Sequence, residues 1–176
     1  MISIEQLRNE HHAVLLALEI IGKICQKLEA KEKVNPKHQE EILEFIKIFV
    51  DKCHHGKEED LLFPAMEKVG IPREGGPIGM MLMEHDMGRG YAKGMRENIS
   101  NPGKFIKNAR GYIELLKRHI DKENNILYPL ADANISQTKD SELLKKFDRL
   151  ELERIGPGKH EEFHRMIEKL ERIYHK

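Results

Sequence analysis

The chain has 176 residues, with Lys+Arg 30 balanced by Asp+Glu 30, so its formal net charge is zero; this argues against a general nucleic-acid binder, which needs a basic face. No run of 18 apolar residues is long enough for a bilayer span, MISIEQLRNEHH lacks a signal-peptide apolar stretch, and Cys25 and Cys53 are too few for a disulfide framework. A single soluble, cytoplasmic domain with room for a core is expected, in which ten histidines and the lack of Trp are the odd counts.

Every long segment has helical period. The first helix, about 3–30, opens on Ser3-Ile-Glu-Gln6, a capping-box pattern, and steps through Leu7, Val14, Leu18 and Ile21. After KEKVNP, where Pro36 suits a helix start, a second helix runs from about 37 to 68 through Ile42, Phe45, Phe49 and Val50. GIPREGGP is the clearest loop. The third helix, about 77–99, carries Met80, Met81, Met83, Met87 and Met95, expected as core filler. NPG at 101–103 breaks it, and the fourth runs from about 103 to 134 through Ile106, Tyr112, Leu116, Ile126 and Leu127. Two more amphipathic helices, about 140–155 and 159–174, flank Gly156-Pro157-Gly158. Long helices with short connections predict an all-α fold: an antiparallel up-down four-helix bundle over residues 1–135, with residues 136–176 as two accessory helices packed on it in the same domain.

The chain also repeats itself. HHGKEEDLLFPA (54–65) aligns with HIDKENNILYPL (119–130), and each copy is preceded, one helix earlier, by a Glu-His pair: Glu10-His11 and Glu84-His85. Residues i and i+4 share a helix face, so His54 points with Glu58 and His119 with Glu123. The register through Ile46, Val50 and Leu61 is more apolar than the one through Lys52, which puts His54 and Glu58 inside and turns His55 and Glu59 aside. The same test places His11, His85, His119 and Glu123 inward, with His12 less buried and no inward Lys or Arg obvious except Arg89. Four imidazoles and two carboxylates in one core need a counter-charge, and two metal ions supply it. Mixed N and O ligands suit iron or manganese, and the thiolate-poor site argues against structural zinc or an iron–sulfur cluster.

Around these six, blander roles are expected. Glu10 and Glu84 read as surface salt-bridge partners, His160 and His164 as a solvated face, Cys53 as inert, and Phe63 and Tyr128 as core. Pro64 and Pro129 are expected to kink or tighten their helices beyond the site.

At the motif blocks EH, HHGKEEDLLFP, EHDMGR and HIDKENNILYP, in order over residues 7–131, the sequence resembles the hemerythrin-like, or HHE cation-binding, domain. The resemblance implies a four-helix bundle around an oxo- or hydroxo-bridged di-iron centre. His11, His54, His85 and His119 then match terminal ligands, and Glu58 and Glu123 the bridging carboxylates. Two positions depart from oxygen-carrying hemerythrins: Arg89 stands where a second helix-three histidine is found, and Asn124 where an aspartate is found. Simple oxygen carriage is therefore not the expected role, the centre is expected to be one histidine short, and Arg89 becomes a candidate to orient an anionic ligand. The His-x-x-x-Glu pattern on both helices is similar to that of di-iron proteins of iron–sulfur-cluster repair. Their cysteine-containing N-terminal segment has no counterpart before residue 3, so repair is not the first expectation. The expected function is a non-haem di-iron protein that binds or reacts with oxygen, nitric oxide or peroxide, with Mn or Zn in the same ligands compatible with the spacing. The alternative is a metal- or redox-state sensor acting through the C-terminal helices.

Overall fold

A computed structural model describes residues 1–175, all helices and connections with no strand among the described residues. Helix α1 spans Ile2–Glu29. The next helical run comprises α2 (Pro36–Phe45), a wide π segment π1 (Ile46–His55), a second, π2 (Glu58–Leu62), and α3 (Phe63–Lys68). Helix α4 is Pro77–Glu97; α5 (Pro102–Lys122) continues through π3 (Glu123–Leu127) into α6 (Tyr128–Asn134); α7 is Gln137–Arg154 and α8 Lys159–Tyr174. Asn35, Asn101 and Ser136 cap α2, α5 and α7 by accepting from the backbone N–H of Lys37, Lys104 and Lys139. Gly156 and Gly158, at φ 87° and 73°, supply the left-handed turn between α7 and α8. None of the described helices is long and apolar enough to cross a membrane.

Two of the three π segments have a cause in the sequence. Proline offers no N–H and crowds the carbonyl four residues back. Pro64 and Pro129 each lie two residues past the end of π2 and π3, and the turn before each proline widens to i→i+5 bonding. The prolines thus act on the site itself rather than beyond it. The wider turn also shifts the helical phase. Ile126, placed inward by a 3.6-residue period, is 58% exposed, whereas Leu127 and Tyr128 are buried.

The apolar core falls into two clusters. One gathers Val14, Leu18, Phe45, Phe49, Val50, Met95 and Leu116. The other gathers Leu7, Leu62, Phe63, Met81, Leu127 and Tyr128. Each of the first four helical runs passes from one cluster to the other, in alternating order along the chain, with its candidate ligands between them. Helix α7 adds Leu143 and Phe147 to the second cluster, and α8 adds Ile167 and Leu170 to the first. Three of the five α4 methionines are not core filler: Met80, Met83 and Met87 lie on the exposed face, and only Met81 and Met95 are buried.

The capping box at residues 3–6 does not form. Helix α1 starts one residue earlier and has no local side-chain cap. Asp140 of α7 caps it from across the fold, accepting from the backbone N–H of Ile2 (2.8 Å) and Ser3 (3.1 Å) and from Ser3 Oγ. Burial pushes the Asp140 carboxyl up, but the bonds from Ser3 and Ile2 outweigh it and hold the group below its usual range. Asp140→Ala should cost about 1–2 kcal/mol in urea denaturation with helix content unchanged. Because the folded pKa is depressed, the difference between parent and variant should be full above the ordinary aspartate pKa of about 3.9 and vanish as pH falls through the folded value.

Candidate metal centre

The six predicted residues come together in the layer between the two apolar clusters. His11 (α1) and His54 (π1) face each other with Nε2 atoms 3.0 Å apart, and His85 (α4) and His119 (α5) repeat the arrangement at 3.1 Å. Each ring is held from behind at Nδ1: His54 by Glu10 Oε2 (2.8 Å), His119 by Glu84 Oε2 (2.9 Å), His85 by Glu59 Oε1 (2.6 Å) and His11 by Asn124 Oδ1 (3.0 Å). Carboxylate and amide oxygens only accept, so each Nδ1 donates, and a neutral ring then turns an Nε2 lone pair inward. Two lone pairs 3.0 Å apart repel unless a cation sits beside them. Outer acceptors that fix the ring and its tautomer in this way are the usual support of metal-bound histidine.

Glu58 and Glu123 lie between the two pairs and are fully buried. Glu123 Oε2 is 3.1 Å from His11 Nε2, and its Oε1 is 3.0 Å from His119 Nε2. Glu58 Oε2 lies 3.4 Å from His85 Nε2 and 3.8 Å from His54 Nε2, and Glu58 Oε1 accepts from the Tyr128 hydroxyl at 2.6 Å. Glu58 Oε2 and both oxygens of Glu123 are buried with no hydrogen-bond donor. Orphaned carboxylate oxygens in a dry layer require positive charge, and the donor set fits metal. Burial disfavours charge on His85 and His119. The nearby carboxylates of Glu123, Glu58 and Glu59 nevertheless hold His85 up at about 11, and the Glu123 charge holds His119 at about 9. The carboxylates thus demand a cation, proton or metal, on the imidazole side.

Within this layer ligand atoms fall into two groups suited to hold an ion: His11, His54, Glu58 and Glu123, and His55, Glu58, His85 and His119; a third, Glu10, Glu151 and His160, lies behind His54 around the Lys57 ammonium. Glu58 belongs to the first two. His55 was expected to turn aside; it is only 4% exposed and stacks on His85 with centroids 3.8 Å apart. Residues Ile46–His55 form a π segment, whose wider turn shifts the phase that a 3.6-residue period assigns, and both His54 and His55 are buried there. His12 is exposed, as expected.

The sequence repeat extends to the supporting shell. Lys57 donates to Glu10 (2.5 Å) as Lys122 does to Glu84, and the Phe63 ring stacks on His85 as Tyr128 stacks on His11. Glu10 and Glu84 are therefore supports of the rings, not surface ion-pair partners. Lys57, unnoticed as an inward cation, is completely buried, and its signal was the Lys recurring in both copies of the repeat. Arg89 serves the same shell. Its guanidinium donates to Glu59 (2.7 Å), Asp51 (2.7 Å) and Asp86 (2.8 Å), so it steadies the acceptor behind His85, and its hydrogen bonds go to carboxylates rather than toward a ligand. Gly88 packs on α5, where an added Cβ would meet Leu116 at an ordinary 3.5 Å.

The halves differ in what closes them. Lys57 also donates to Glu151 of α7 at 2.7 Å, and His160 of α8 brings Nε2 within 3.7 Å of Glu10 Oε1. His160 is half-buried against Phe49 rather than on a solvated face, and the His164 ring lies tilted beside it with centroids 4.7 Å apart. Cys53 is buried beside this network, its thiol pushed up to about 12 chiefly by burial, which leaves it unreactive. The Glu84–Lys122 pair has no partner from α7 or α8 among the described contacts, and Lys122 is 29% exposed.

Helices that aim imidazoles and carboxylates into one dry layer define an all-helical cation-binding protein. The hemerythrin HHE cation-binding domain model matches residues 2–131, and the chain belongs to that family. Comparison with curated proteins and with solved structures gave no significant match. Glu151 and His160 lie beyond the matched residues. Lys57→Ala, which strands a buried Glu10, should cost about 3–5 kcal/mol in urea denaturation, whereas its repeat counterpart Lys122→Ala, half-solvated, should cost about 1 kcal/mol or less.

Proposed function

We propose that this chain is a non-haem di-iron protein that binds or reacts with a small ligand, namely oxygen, nitric oxide or peroxide. Two iron ions would be held by His11 and His54 on one side and His85 and His119 on the other, with Glu58 and Glu123 bridging. His55 joins the His85–His119 side and makes good the histidine that position 89 lacks. The observation that carries the reading is the set of buried, donor-free oxygens of Glu58 and Glu123 lying between two pairs of inward Nε2 atoms. The alternating passage of the helices between the apolar clusters supports an antiparallel four-helix bundle around the centre, with α7 and α8 packed on it as part of one domain. Bound iron would supply the redox chemistry and a position for the small ligand. The protein's part is to hold each ring through Nδ1, to keep water out with the flanking apolar clusters, and to hold Glu58 through the Tyr128 hydroxyl.

One observation favours a second reading. The path His54–Glu10–Lys57–Glu151 runs from a candidate ligand to α7 without a break. A change of charge at the centre would then be felt by the C-terminal helices and by a partner docked on them. Equal protease sensitivity of residues 137–174 in apo, ferrous and ferric protein would rule this out.

Anaerobic loading with ferrous iron should give two irons per chain by metal analysis, and new absorption bands on adding oxygen, nitric oxide or peroxide. Fewer than two irons in fully loaded protein would refute the dinuclear reading. Glu58→Ala and Glu123→Ala should each lower occupancy. His55→Ala should make iron release to a chelator biphasic, with one ion leaving at least tenfold faster; single-phase release at the parent rate would remove His55 from the ligand set.

A further inference from the structure

A pocket of about 190 Å³ opens between the 46–55 stretch, α4 and α5, and ends beside the candidate centre. An apolar cavity of about 150 Å³ is enough for a benzene-sized molecule. The walls are Ile46, Val50, Ala92 and the ring of Tyr112. Lys47, Lys93 and Arg96 line it and are exposed, so they form its rim, whereas His55 is buried and forms its inner end. The only acid lining it, Asp51, is already engaged by Arg89 at 2.7 Å. Lys47 makes no ion pair among the described residues, and Arg96 donates from Nη2 to a neutral acceptor, Leu43 O (2.9 Å). Lys93 has only a solvent-exposed partner, Glu97 at 3.8 Å, so the rim of an otherwise neutral protein is locally cationic, with Lys47 its unpaired charge.

The inner end carries a second, independent mark. His55 Nδ1 is buried without a hydrogen bond, 3.5 Å from Asp51 Oδ1. Buried polar atoms are nearly always satisfied, so a ligand that fits here needs a polar atom at its far end, an apolar middle and an anionic head.

We propose that this pocket binds a short aliphatic hydroxy-carboxylate, its carboxylate at Lys47 and Arg96, its chain along Ile46, Val50, Ala92 and Tyr112, and its distal hydroxyl on His55. A hydroxyl both donates and accepts, so it satisfies His55 Nδ1 in either tautomer. The Arg96 fork matches a carboxylate, and Lys47 adds charge that salt will screen. The pocket meets the proposed centre at His55 alone, and with His55 Nε2 toward the metal its Nδ1–H is left to donate to the hydroxyl, so this inference rests on the reading above at that one residue. Because His55 stacks on His85, an occupant would lie one ring away from a candidate ligand.

The test is titration calorimetry on the metal-loaded full chain with 6-hydroxyhexanoate, against hexanoate, 1,6-hexanediol and inorganic phosphate. The hydroxy acid should bind, at least tenfold tighter than the diol, severalfold tighter than hexanoate and more weakly as salt rises. Lys47→Gln with Arg96→Gln, both exposed and remote from the core, should weaken it at least tenfold. Ala92→Leu should abolish binding by filling the pocket. No binding at millimolar ligand, equal binding of the diol or of hexanoate, or phosphate binding as tightly as the hydroxy acid would each overturn the proposal. So would unchanged affinity in the double variant.

Discussion

Everything in this molecule is arranged around two carboxylates that have nothing in the protein to donate to most of their oxygens. Glu58 and Glu123 are fully buried between two apolar clusters, where an isolated charge is costly. Positive charge at the centre relieves that cost, and the surrounding shells follow from the need to present it properly. Inward lone pairs on the four imidazoles require outward N–H groups. Those need acceptors, which Glu10, Glu84, Glu59 and Asn124 provide. Acids so close to a dry layer need cations in turn, which Lys57, Lys122 and Arg89 provide. Charge therefore alternates outward, shell by shell, until it reaches solvent.

The repeat explains how one short block of sequence builds most of this, and its breaks explain what is particular to the chain. Where the second copy has Ile120, the first has His55, which brings a fifth imidazole to the His85 side. Where the first has Phe63, the second has Tyr128, which gives Glu58 a donor. Where the first has Glu59, the second has Asn124, so His11 is backed by a neutral amide and His85 by a carboxylate. Identical frames with unequal backing make the two sides of the layer electronically different, a carboxylate behind an imidazole making it the stronger donor.

The helices and their ends were legible because long 3.6-residue patterns broken by Asn-Pro and Gly-Pro-Gly are strong local signals. The six inward residues were legible because the repeat doubled a pattern that is weak when it occurs once. His55 and Ile126 were misplaced by one cause, a helix that stops being an α-helix: a fixed period counts phase correctly only while the turn keeps its width. Pro64 and Pro129 carried the information about that change, as the residues that deprive the preceding turn of a hydrogen bond. Glu10 and Lys57 were misjudged for another reason. Their burial depends on α7 and α8 folding back over the first helical run, a tertiary fact with no counterpart in the local pattern of any single helix.

That fold-back also decides how the two sides of the layer meet solvent. The Glu10–Lys57 pair is sealed by Glu151 and flanked by His160, while the Glu84–Lys122 pair remains partly wet. A charge pair in a low-dielectric setting is strongly coupled to its neighbours, and a solvated one is screened. The His54 side is thus rigidly tied to the C-terminal helices, and the His119 side is buffered by water. A charge sealed from solvent acts on its neighbours more strongly than a solvated one, so the two sides of the layer stand in unequal electrostatic surroundings. The repeat builds a nearly symmetric cage, and the helices outside the repeat make its two sides unequal.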